Sequence, residues 1–254
     1  MKLFKKVLTA VSFAAAMASS HAAIVNVGGV SWDPDAANDF TAQFNFAQQF
    51  LGNPLVVGTA LQGFGEFYGI NNTFLDPNND VGNSGAFCNS CELTLKFGGL
   101  LTSAAAGGGF TADPGTGVYL EIFVDAARNY KSTDQLNAAT ATDGQLWLRL
   151  KARNFNFVSD DPSAANPFVS GQLTVNWDVD LTAAALATDH FDTNARASLT
   201  DVFSRASSTF VTGLEALDGN GTVFGNTIPE PESLALVGLA LVGAAAAGRR
   251  KQAK

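Results

Sequence analysis

Histidine is nearly missing from this 254-residue chain: there are two, His21 and His190. Cysteine is as scarce, with Cys88 and Cys91 alone. His21 falls in a stretch read below as a leader, so the body keeps one histidine. A closed tetrahedral zinc site therefore cannot be built from Cys and His. A serine triad would have to use His190, which sits in the polar segment Thr188-Asp189-His190-Phe191-Asp192 and reads as a surface loop. No serine has the glycine-flanked context of a nucleophile elbow. No histidine follows Cys91, which excludes c-type haem attachment. Basic residues are also few: only eight of the 15 Lys or Arg lie between Ala23 and Ile228, against 21 of the 23 Asp or Glu. Nucleic acid is excluded as a partner, because phosphate binding needs a basic face. No internal repeat recurs at a fixed period, which argues against a solenoid. Long amphipathic helices are absent too, so a parallel α/β fold is not expected.

What is present is concentrated at the two ends. Lys2, Lys5 and Lys6 precede an apolar or small run from Val7 to Met17, and Ser20-His21-Ala22 offers small residues for cleavage between Ala22 and Ala23. These are the parts of a secretory signal peptide. At the other end stand Pro229-Glu230-Pro231, an apolar stretch from Leu234 to Gly248, and the basic stop Arg249-Arg250-Lys251. The stretch is 15 residues long, whereas a full span needs about 20. It has no polar face, and long basic side chains can extend a short span. The positive-inside rule would hold the basic end in the cytoplasm. The expected division is a signal peptide at 1–22, an extracellular domain at 23–228 and a separate C-terminal segment of tripeptide, apolar stretch and basic end at 229–254.

The body reads as β. Leu173, Val175, Trp177, Val179 and Leu181 alternate with Thr174, Asn176, Asp178 and Asp180, the pattern of a half-buried strand. Residues 144–153 repeat it, with Leu146, Leu148, Leu150 and Ala152 opposite Trp147, Arg149, Lys151 and Arg153. Val118 to Asp125 and Glu92 to Phe97 follow suit. Shorter candidates are Ile24 to Val30, Pro54 to Leu61, Gly65 to Phe74, Phe155 to Val158, Val202 to Val211 and Thr222 to Phe224. Asp-Pro and Pro-Gly signals at Asp76-Pro77, Asp113-Pro114-Gly115 and Asp161-Pro162 separate them. Leu181 to Ala187, Asn194 to Phe203 and Phe40 to Phe50 are the helix candidates. Ser103 to Gly109 reads as a low-complexity loop, and Gly213 to Ile228 as a final edge strand or a linker. The expected fold is mainly β: an antiparallel two-sheet, jelly-roll-like sandwich, flanked by the signal peptide and a hydrophobic C-terminal transmembrane helix.

Candidate sites follow from the same residues. Cys88 and Cys91 in an exported chain are expected to form a disulfide. A thioredoxin-like role is disfavoured because Cys91 leads directly into a β pattern. Of cofactors none is implied, although calcium is the best-represented ion: oxygen ligands occur at Asp33 to Asp35, Asn38-Asp39, Asp76 to Asp80 and, closest to a ligand loop, Asp218 and Asn220. None has EF-hand spacing. No catalytic residue is assigned. The enzyme alternative is a glycoside hydrolase using paired carboxylates among Glu66, Glu92, Glu121, Asp178 and Asp180. Trp147, opposite the apolar leucine face of its strand and beside Arg149, is the candidate aromatic for stacking on sugar; the alternative is a two-sheet core in which both faces are covered. Asn71 and Asn220 open sequons.

The tripeptide, anchor and basic stop together resemble the PEP-CTERM sorting signal of Gram-negative bacteria that make extracellular polysaccharide. The resemblance implies that an exosortase, a membrane-embedded cysteine transpeptidase, recognises and removes the tail during export. It also implies transient inner-membrane anchoring and then a place at the cell surface or in the extracellular matrix. Asn26-Val27-Gly28-Gly29-Val30-Ser31-Trp32-Asp33-Pro34-Asp35 and Cys88-Asn89-Ser90-Cys91-Glu92-Leu93-Thr94 are similar to the flocculation-associated PEP-CTERM proteins. That resemblance implies a non-catalytic role in exopolysaccharide-dependent flocs or biofilm, through polysaccharide binding or self-association. A purely structural surface protein is the remaining alternative.

Overall fold

The structure, a computed structural model, describes residues 24–36, 39–71, 73–74, 87–130, 136–196, 198–209 and 215–228, with the side chains of 74 and 215–218 left aside. The elements are β1 (Val25–Val27), β2 (Val30–Trp32), β3 (Phe40–Phe50), β4 (Ala60–Ile70), β5 (Thr73–Phe74), β6 (Glu92–Thr102), β7 (Phe110–Ala112) and β8 (Tyr119–Asp125). There follow α1 (Ala138–Ala141), β9 (Gln145–Ser159), β10 (Ser170–Val179), α2 (Thr188–Phe191), β11 (Val202–Thr209) and β12 (Glu215–Gly225).

The expected two-sheet sandwich is not what forms. Strands β4, β3, β12, β11, β10, β9, β8 and β6 pair in that order, all antiparallel, and β6 pairs back onto β4 through Gly63↔Phe97 and Gly65↔Leu95. The result is one closed eight-stranded barrel. Closure removes the two long free edges that a sandwich would keep, leaving β5 and β7 as short additions at β4 and β6.

Glycines inside the strands make the closure possible. Gly221 stands directly opposite Phe44, and Gly219 opposite Phe46. A Cβ on Gly221 would come within 2.2 Å of the Phe44 ring, and one on Gly219 within 2.4 Å of the Phe46 ring. Each ring therefore lies flat on the bare backbone of its neighbour strand. Such glycines mark tight bends at barrel corners, and an aromatic across the ladder covers the exposed backbone. Burying each Phe contributes about 1.5–3 kcal/mol relative to exposure.

Several local expectations change with the architecture. Phe40 to Phe50, a helix candidate, is β3, with Phe44, Phe46, Gln48 and Phe50 all facing the interior. Its register with β4 shifts between Gln43 and Phe44, which disguises the alternation. Leu181 to Ala187, and the described residues of Asn194 to Phe203 up to Asp201, are turns and loop, and the helix between them covers only Thr188–Phe191. Pro54 to Leu61 is loop until Ala60. Residues 145–153 and 155–158 belong to one 15-residue strand, bent where its pairing shifts opposite Asn176/Trp177. Within the stretch Gly213 to Ile228, expected as an edge or a linker, β12 is a central stave between β11 and β3.

One end of the barrel is sealed. The β1–β2 hairpin lies across it, and Trp32 packs on Phe40, Trp147 and Phe191 at ring distances of 5.7, 5.9 and 5.7 Å. Trp147 is not the exposed sugar-stacking residue expected: it is fully buried, and its Nε1 donates to the Val27 carbonyl at 2.9 Å. The β8–β9 ladder shifts between Ile122 and Phe123, leaving Trp147 without a cross-strand partner, so Trp147 and Leu148 are both buried in succession.

Among its described residues the structure does not contain the expected transmembrane sorting helix, nor an anchor for transient inner-membrane attachment. Among the described residues no helix is long and apolar enough to cross a membrane, and α1 and α2 have four residues each. Residues 234–248 and the basic stop lie outside the described residues, as do the signal peptide and its cleavage site.

Candidate functional site

The sealed end holds the root of the sorting tail. Asp39, at φ +53° just before β3, accepts hydrogen bonds from the Thr227 backbone N–H and, at 2.6 Å, from its hydroxyl. The Trp32 indole donates to the same hydroxyl, and the Ile228 N–H donates to the His190 carbonyl at 2.8 Å. Burial pushes the Asp39 carboxyl above the ordinary range despite the two Thr227 bonds. Pro229 is thus covalently attached to a clamped residue rather than to a spacer. His190, expected on a loop, is half-buried on α2 with its ring edge-on to Trp32 at 5.8 Å.

The cysteines lie at the same end. Cys88 and Cys91 form a disulfide. Cys88 bridges to Val30, and Arg128 Nη2 donates to the Cys88 and Asn89 carbonyls at 3.2 and 2.8 Å. The bond therefore fixes the strap that carries the hairpin over the barrel. Both sulfurs are buried in the core cluster.

The carboxylates proposed for hydrolysis are scattered and partnered. Glu92 is buried and accepts from the Asn129 and Tyr130 N–H groups at 3.0 and 3.1 Å. Burial raises its pKa in spite of those bonds. Glu121 sits between Lys96 and Arg149 on the outer face, at 3.6 and 3.4 Å. Asp180 accepts from Lys151 at 3.0 Å and from the Thr182 hydroxyl at 2.6 Å. Burial works to raise the Asp180 pKa, but the Thr182 and Lys151 bonds outweigh it and hold the group below the carboxylate range. Asp178 faces Arg153 at 3.7 Å. The proposed calcium positions fare similarly. Asp218 and Asn220 lie within β12 rather than in a loop, and Asp76 to Asp80 fall outside the described residues. Among the described residues no three His, Cys, Asp or Glu gather as a metal-ligand cluster. Asn71, which opens a sequon, is committed locally: its amide donates to the Asp33 and Asp39 carbonyls and accepts from the Thr41 N–H.

The outer wall of β9 to β12 was not singled out from the sequence beyond its alternation. Asn154 and Asn176 pair through their amides at 2.8 Å, and Asn156 and Thr174 meet one rung further on. Beside them Gln172, Arg205, Asn220 and Thr222 line a shallow depression of about 310 Å³. Phe203 and Phe224 stack at 6.1 Å across β11 and β12, with the Arg196 and Arg205 guanidiniums 5.6 and 5.9 Å from their ring centres. The face is a plane of amides and hydroxyls edged by half-buried rings. The signal was legible: the outward positions of the alternation in β10 are all polar.

Residues 227–251 match the PEP-CTERM protein-sorting motif. No curated protein and no solved structure matches the chain. The chain carries a PEP-CTERM sorting motif near its C-terminus, the mark of an exosortase substrate. It is an exosortase-processed surface protein, and no catalytic constellation is evident among its described residues.

Proposed function

We propose that this exported barrel acts without catalysis in the extracellular polysaccharide matrix, holding cells together in flocs or biofilm by binding polymer on its outer wall. The observation that carries the reading is the polar plane of β9 to β12. Sugar hydroxyls need donors and acceptors side by side, which Asn154, Asn176 and Asn220 supply, and their C–H faces need an apolar or π surface, which Phe203 and Phe224 supply. Barrel closure supports polymer binding over assembly by strand addition, since only short edges remain. The carboxylates that a hydrolase would use are engaged in ion pairs or backbone bonds, which supports a non-catalytic role. The acidic surface keeps free chains apart until polymer bridges them.

The test is settling of a deletion strain complemented with the full chain, with a version ending at Ile228, or with Asn176→Ala/Asn220→Ala. Only the full chain is expected to restore settling. Deletion without effect on settling would remove the floc reading. A fully active wall variant would move polymer binding away from β10 and β12.

A further inference from the structure

The barrel interior is not filled. Because Phe44 and Phe46 fold flat onto Gly221 and Gly219, their rings line the wall rather than cross the axis. Phe97 does the same on Gly63. The axis keeps a cavity of about 70 Å³, running from these rings to the end opposite the β1–β2 hairpin. Barrels of eight strands are just wide enough for side chains to fill them or for one small ligand to enter. Here the rings have been laid aside in a way that favours the second.

The lining is apolar with a polar rim. Trp177, Val175, Leu173 and Leu120 form the depth, and the Trp177 indole is already satisfied by Ser204 at 2.7 Å. At the rim stand Gln48, Ser207 and Ser208. Gln48 is 7% exposed, and its Nε2 donates to Ser208 Oγ. Among the described residues that is the side chain's one hydrogen bond, so its carbonyl Oε1 is left able to accept. No charged side chain among the described residues lines the cavity.

The cover at this end is a cluster of rings. Phe110 packs on Phe157 at 5.0 Å and on Phe168 at 5.3 Å, over Phe50. Phe110 belongs to β7, three residues that pair, among the described strands, with the end of β6, and Phe168 to the connection between β9 and β10. The loops and strand ends at this end also expose Leu55, Val56, Val57, Val158 and Val169. The resting cavity is about half the ~150 Å³ of a cavity known to admit benzene, so a guest must displace part of this cover.

We infer that the lumen is a binding site for a small neutral amphiphile: a narrow alkyl or single-ring tail lying against Trp177 and the wall phenylalanines, with a hydrogen-bond-donating head on Gln48. A charged head is disfavoured because nothing in the lining would neutralise it.

The experiment is calorimetric titration of the full chain with 4-propylphenol and with propylbenzene, which share a tail and differ in the head. We expect saturable one-to-one binding, with the phenol about tenfold tighter, the worth of one buried hydrogen bond. Gln48→Leu should erase that preference while sparing the hydrocarbon. Ala206→Phe, which fills the cavity from β11, should abolish both. Every variant carries the same apolar tail, so binding there would not respond to either change. Absence of saturable binding, a preference that survives Gln48→Leu, or binding that survives Ala206→Phe in a folded barrel would each overturn the site. If circular dichroism shows Ala206→Phe misfolded, the Gln48→Leu comparison alone decides.

Discussion

The Trp32 indole N–H donates to the hydroxyl of Thr227 at 3.2 Å, joining a residue of the N-terminal hairpin to one two positions before the sorting tripeptide. The same hydroxyl donates to Asp39 Oδ1. One oxygen thus closes the barrel end and anchors the chain where the tail departs. Thr227→Val keeps the shape but orphans the buried indole N–H and leaves the half-buried Asp39 carboxylate one bond short. The expected loss is about 1–3 kcal/mol, read as a lower urea midpoint with unchanged slope. Thr227→Ser keeps the hydroxyl and should stay within about 1 kcal/mol of the parent. Equal stability of the valine variant and the parent would show that the clamp carries no weight.

The pairing of Gly221 with Phe44 predicts compensation. Gly221→Ala places a methyl group where the ring lies, and overpacking of this kind costs about 1–3 kcal/mol. Phe44→Leu alone opens the interior and costs on the order of 1–3 kcal/mol. Combined, the smaller side chain makes room for the methyl, so the double variant should be more stable than the sum of the single losses by at least about 0.5 kcal/mol. Strict additivity in chemical denaturation would mean that the two residues are not sterically coupled.

This coupling also explains which parts of the molecule were legible beforehand. Alternation in β10 placed Leu173, Val175 and Trp177 inside and Thr174, Asn176 and Asp178 outside, because a half-buried strand writes its period directly into the sequence. Period 2 does not say whether a sheet closes on itself, and the sandwich and the barrel share it. Closure depends on β4 reaching β6 past β5, a non-local event whose local trace is the run of strand-interior glycines at 63, 65, 219 and 221, each opposite or beside a phenylalanine. Bulges hid the rest. Trp147 follows the alternation on paper, and the shift at Ile122/Phe123 turns it into the core. In β3 the inward Gln48 breaks the apolar pattern at the residue that forms the cavity rim. The amide plane of the outer wall was visible as polar residues, but its use depends on which strands become neighbours.

The disulfide encloses only four residues, so loop-closure entropy assigns it about 2 kcal/mol. The strap has other supports, namely the bridge of Cys88 to Val30 and the Arg128 bonds to two carbonyls. Cys88→Ala/Cys91→Ala should therefore lower the unfolding free energy by roughly that amount and leave the β-type circular dichroism intact. Reductant should shift the parent by the same margin and the variant not at all. Loss of the β signal in the variant would show that the bond is required for folding.

Glu92 gives the pH response a sign. Burial raises its pKa in the fold, while the Asn129 and Tyr130 N–H bonds oppose the rise and Asp125 and Asp143 add to it. Below the unfolded value near 4.5 the group is protonated in both states and costs nothing. As pH rises from there through the raised folded value, the unfolded chain gives up its proton first, so the group's contribution to stability falls and stays low above it. Glu92→Gln retains an oxygen for both N–H groups and carries no charge at any pH. The variant should match or trail the parent near pH 4 and gain on it as the pH climbs through that window to neutrality, measured as paired melting temperatures across the range. Asp39, raised by burial as well, remains in both proteins and cancels in the difference. A difference that stays flat with pH would mean that the two backbone bonds fully offset the burial of Glu92, leaving its pKa the same in the barrel as in the unfolded chain.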